Sequence, residues 1–87
     1  MTTVVNLRKE SYDIYCGRGS IYGNPYEIGK DGTREQVIER YKGWFNFLLK
    51  DNLFKNSLLN LKNKKLGCFC KPAACHCDYI AEYINKL

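Results

Sequence analysis

Four of the five cysteines and the single histidine fall in one short run, Leu66-Gly-Cys-Phe-Cys-Lys-Pro-Ala-Ala-Cys-His-Cys77. Thiols are soft metal ligands and nucleophiles, and imidazole titrates near neutral pH. Three chemistries compete for this segment. Zinc wants four thiolate or imidazole ligands, commonly as two paired knuckles. The spacing here, C-x-C-x4-C-H-C, does not make such knuckles, and ligands drawn from one short segment would staple little. The expectation is therefore no metal and no cofactor. A nucleophile is the second chemistry. Cys75 would sit at a helix N-terminus, where the helix dipole favours thiolate. Its neighbour His76 is poorly placed as its base, because adjacent helical residues diverge. Cys70, Cys75 and His76 are the catalytic candidates. The third chemistry is anion binding. Free amides at the helix start, His76 and Asp78 offer donors and acceptors to a phosphate, a ribose or a base.

A second segment points the same way. Gly17-Arg-Gly-Ser-Ile-Tyr-Gly-Asn-Pro25 opens no helix and lacks the Gly-Lys-Ser/Thr ending of a P-loop. Its glycines still let backbone amides approach phosphate, with Arg18 as a bidentate donor. Tyr22 and Tyr26 offer rings on which a base can stack. The ligand-binding candidates are Arg18, Gly19, Ser20, Tyr22, Asn24, Cys70, His76 and Asp78.

These segments need elements to hold them. Val4–Leu7 is a short apolar run suited to a buried strand, and Tyr12–Cys16 is rich in β-formers. Gly17 to Gly32 reads as a long loop, a length often tied to function. Thr33-Arg-Glu-Gln36 fits a capping box. Val37, Ile38, Tyr41, Trp44, Phe45, Leu48 and Leu49 then follow helical spacing, with Trp44 read as core. Leu53 to Leu61 suggests a second, shorter helix. Lys64–Cys70 reads as a strand on which Cys68 and Cys70 share a face. Asp78 is the expected cap of a last helix carrying Ile80, Tyr83, Ile84 and Leu87. A helical crossover between Val4–Leu7 and Leu66–Cys70 predicts a parallel pair. The expected fold is a single α/β domain spanning residues 1–87, with a small sheet and three helices. If the first two strands paired as a hairpin, Gly17 would start at the end of the sheet opposite Cys70, and the loop would have to double back.

Eighty-seven residues bound the core to a modest size, and a net charge of +5 favours an anionic partner. The basic residues are scattered, with only Lys62-Asn-Lys-Lys65 forming a run. A compact ligand therefore ranks above a nucleic acid. The N-terminus lacks a signal-peptide pattern and no long apolar run is present, so a cytoplasmic protein without membrane contact is expected, in host cytoplasm if viral. An odd number of cysteines argues against a disulfide framework. A homo-oligomer is compatible with all of this.

With both motifs quoted, the chain resembles domain of unknown function 4326, a family of small phage and bacterial proteins. The resemblance rests on Val4–Arg8, Gly17–Pro25 and Cys68–Asp78 and covers nearly the whole chain. The family's pattern has Gly where this chain has Cys77, which argues against Cys77 as an obligatory ligand. The resemblance implies a small α/β fold and a frequent phage origin, with no agreed activity. Three functions follow, in order. The first is a binding protein for a phosphorylated nucleotide-like ligand, in a phage setting one that sequesters a host immune signalling nucleotide. The second is a nucleotide- or nucleic-acid-processing enzyme using the Cys/His site. The third is a zinc-stabilised interaction protein. Lack of a full catalytic set places binding ahead of catalysis.

Overall fold

Leu66 and Cys68 lie on the central strand of a three-stranded sheet and are shut off from solvent. The computed structural model describes residues 1–87. Strand β1 is Thr3–Asn6, β2 is Ile14–Tyr15 and β3 is Lys65–Cys68. The strand order is β1-β3-β2, and both outer strands run parallel to β3. Val5 and Tyr15 both stand opposite Gly67. The predicted parallel pair is thus present, and the domain is α/β with three helices.

The second strand differs from the hairpin alternative. It pairs with β3 rather than β1, so the connection Leu7–Asp13 must cross β3 to reach the far edge. Gly67 permits this crossing. A Cβ there would lie 2.7 Å from Cγ of Tyr12, whose ring passes directly over the strand. All three strands therefore end on the same side, and the glycine loop starts beside Cys68 without doubling back.

Helix α1, Arg34–Leu48, opens on the expected capping box. The Gln36 amide donates to Thr33 Oγ1 at 3.3 Å, and the Thr33 amide donates to Gln36 Oε1 at 2.9 Å. Val37, Tyr41 and Phe45 form its buried stripe. Trp44 is only half-buried, on the rim of the core beside Phe47. It stands one position off that stripe, about 100° away around the helix, which is why it misses full burial. Phe45 sits edge-on to Phe54, Tyr79 and Tyr83 at 5.4–5.7 Å. Such aromatic pairs add directional stabilisation to area burial.

Helix α2, Asn52–Ser57, is capped by Asp51 and runs into a 3-10 turn, Leu58–Leu61, whose Leu58 and Leu61 enter the core. Helix α3, His76–Asn85, buries Ile80, Ala81 and Ile84. Its cap is Cys75 rather than Asp78. Asp78 lies one turn in, and its carboxylate accepts from the Cys75 amide at 3.1 Å. The acid reaches back as in a capping box, so the helix starts earlier than the polar pattern predicts. At the other end of the molecule, Thr2 and Asn85 exchange two hydrogen bonds of 2.9 Å. Thr2 Oγ1 also donates to the Leu61 carbonyl at 2.7 Å, so the first residues are tied to both helical ends.

Strand β3 stops at Cys68, two residues before the expected Cys70. The Cys70 carbonyl instead accepts from Ala73 in a tight turn at 2.7 Å. Asn6 Nδ2 donates to the Lys71 carbonyl at 2.7 Å and ties the end of β1 to that turn.

Candidate functional site at the carboxyl ends of the strands

In open parallel sheets the carboxyl ends of the strands leave a crevice in which ligands bind. Here that crevice is a cleft of about 530 Å³. Gly17 and Arg18 follow β2, Cys68 and Cys70 come from the end of β3, and Cys75 and His76 open α3. Arg34, Val37 and Ile38 of α1 form another wall, and Tyr26, Glu27 and Ile28 close the rim.

The Gly17–Gly32 loop is a chain of turns, without regular strand or helix. Ser20 Oγ donates to the Gly17 carbonyl at 2.7 Å, and the Gly23 amide donates to the Ser20 carbonyl. A Cβ on Gly23 would meet the Gly17 carbonyl oxygen at 2.6 Å, so a side chain there would open the turn. Asn24 Nδ2 reaches the Val37 carbonyl at 3.1 Å while its Oδ1 accepts from the Tyr26 amide. This side chain docks the loop on α1. Arg18 points outward, 60% exposed, and pairs with Glu27 at 3.4 Å. Arg34 spans the cleft to the Ala74 carbonyl at 3.0 Å. Arg18 and Arg34 thus both border one cavity.

The predicted residues divide. Arg18, Asn24, Cys70, Cys75 and His76 all line the cleft. Asn24 does so with both polar ends already bonded. Ser20 closes its own turn. Gly19, at φ +93°, turns the chain beside it and is not part of the wall. Tyr22 is core: its hydroxyl bonds Ser57 and its carbonyl accepts from buried Tyr41 Oη at 2.8 Å. Asp78 lies behind the cleft, paired with Lys71 at 2.6 Å. That carboxylate raises the Lys71 pKa. The unforeseen residues are Arg34, Glu27 and the apolar pair Val37 and Ile38. Arg34 is the first residue of a helix, where nothing in its surroundings in sequence marks it for a ligand.

His76 is buried. Its Nε2 lies 2.7 Å from the Cys16 carbonyl. A carbonyl only accepts, so Nε2 carries the proton and Nδ1 is left as a lone pair. Nδ1 is 3.7 Å from Cys75 Sγ. Adjacent residues meet here, against expectation, because Cys75 is extended (φ −144°, ψ 150°) and not yet helical. Burial lowers the His76 pKa and keeps the ring neutral.

Behind His76 the sulfurs gather. Those of Cys68, Cys75 and Cys77 all lie within 4.8 Å of one another, and each residue is buried. All five cysteines are free thiols. Contacts with the Cys75 and Cys77 thiols push the Cys68 pKa down. Donation to Cys68, together with burial, raises the Cys75 thiol. Contact with Cys16, then with Cys68, raises Cys77. That upward shift runs against an activated nucleophile at Cys75.

The chain matches the family described as Domain of unknown function (DUF4326) over residues 3–86. It is 42% identical over 86 residues to the "Uncharacterized 12.4 kDa protein in nrdA-td intergenic region" of Enterobacteria phage T4, covering 97% of this chain and 78% of that protein. No solved structure matches it.

Proposed function

The chain belongs to the family of Domain of unknown function (DUF4326), and we propose that its cleft binds a phosphorylated, nucleotide-like small molecule. The observation that carries this reading is the pair of arginines, Arg18 and Arg34, bordering one cleft at the carboxyl ends of the sheet. A volume of about 530 Å³ suits a mononucleotide-sized ligand. Phosphate oxygens would take the bidentate donors of the two arginines. The apolar wall of Val37 and Ile38, with Tyr26 at the rim, would receive a base. The net charge of +5 favours the same partner. Likeness to a phage protein fits the further reading that the protein holds a host immune signalling nucleotide out of circulation, a role that needs binding and no turnover.

Calorimetry of reduced protein against AMP, ADP and cyclic nucleotides tests the proposal. At least one should bind, and Arg18→Ala should weaken that binding by about 1.5–3 kcal/mol, the scale of a hydrogen bond to a charged group. Absence of heat across the panel, or an Arg18→Ala variant that binds as tightly as the parent, contradicts it.

A further inference from the structure

We infer that Cys68, Cys75 and Cys77 hold a zinc ion, with Cys16 as the fourth donor. The spacing of the cysteines makes no knuckles, but the turn between β3 and α3 brings three of their sulfurs together, and Cys16 comes from outside that segment. Cys68 ends β3, Cys75 caps α3 and Cys77 lies in the first turn of α3, yet their sulfurs are mutually within 4.8 Å. Cys16 follows β2, is wholly buried, and presents its backbone carbonyl to Cys77 Sγ at 3.5 Å. Three thiols, from the end of β3 and the start of α3, therefore meet in one buried place, with Cys16 beside Cys77. A zinc ion there would tie the end of β2 to the β3–α3 segment, which is distant from it in sequence.

The dimensions agree. Zinc–sulfur bonds of about 2.3 Å in a tetrahedron put sulfurs about 3.8 Å apart, a spacing that the three clustered sulfurs approach. Four thiols bind one Zn²⁺ and release four protons, leaving a tetrathiolate complex with two negative charges. Nothing is oxidised or reduced.

The test uses the full reduced chain, stripped of metal and titrated with Zn²⁺ against a chromophoric chelator, with native mass spectrometry for stoichiometry. One zinc per chain is expected, and Co²⁺ in its place should give the absorption of a tetrahedral thiolate complex. Cys68→Ser should weaken zinc binding by more than the roughly 10–100-fold that loss of an outer-shell partner costs. Cys70→Ser, which removes a thiol outside the cluster, should bind as the parent does. The parent titration needs no substitution, so misfolding of a variant cannot mask the result. Failure of the reduced parent chain to take up stoichiometric zinc, an octahedral Co²⁺ spectrum, or undiminished binding by Cys68→Ser would each overturn the inference.

Discussion

Arg18 and Glu27 show how much of the site is set by single residues. The carboxylate sits 3.4 Å from the guanidinium on the cleft rim and competes with any anion for it. Glu27→Gln should therefore tighten binding of AMP, and calorimetry at low ionic strength reads the change directly. A weakened interaction would mean that the ligand's charge at that rim is not negative. Tyr41 is a residue of the opposite kind. Its hydroxyl donates to the Tyr22 carbonyl at 2.8 Å inside the core, and burial pushes its pKa well above the usual phenol range. Tyr41→Phe leaves that carbonyl without its donor and should cost about 1–3 kcal/mol in urea denaturation. A loss near zero would show that the carbonyl finds another donor. Arg18, Cys70 and His76, singled out in the sequence for their chemistry, do border one cleft. Arg34 gave no such signal, since a basic residue at a helix start reads as ordinary surface. Tyr22 misled for a physical reason: a tyrosine near a glycine loop looks the same whether its ring faces a ligand or packs on Phe54, as it does here.

At the scale of elements, the parallel pairing of β1 with β3 was legible because a clear helical pattern separates the two strands. The place of β2 was not. Two residues of strand carry little pattern, and the short Leu7–Asp13 connection resembles a hairpin turn more than a crossing over the sheet. Its signature is Gly67, whose missing side chain makes room for Tyr12. Gly67→Ala should destabilise the fold by about 1–3 kcal/mol through overpacking. In a Tyr12→Ala background the same change should cost much less, so a double-mutant cycle isolates the contact. Additive losses would place the strain elsewhere. Helix α1 permits a ranking. Phe45 is fully buried among aromatic neighbours, and Phe45→Ala should cost about 3–5 kcal/mol. Half-buried Trp44 should cost distinctly less on the same substitution. Equal losses would mean that Trp44 packs more deeply than its position indicates.

The whole molecule has one organising fact, that all three strands run in the same direction. This single topological choice brings the glycine-arginine loop and the start of α1 to the same end as the Cys/His segment, which is far from them in the chain. It also brings Cys16 to the other cysteines. No helix is long and apolar enough to cross a membrane. The cleft and the thiol cluster share Cys68 and Cys75, so zinc binding would stiffen the floor of the cleft. The central claim is that this end of the sheet binds a phosphorylated nucleotide. It is tested most directly by amide chemical-shift mapping of the reduced protein during titration with AMP. The account predicts shifts concentrated at Gly17–Arg18, at Arg34 and at Cys68–His76, with the Thr2–Asn85 end of the molecule unchanged. Saturable shifts centred elsewhere, or none at millimolar nucleotide, would contradict it.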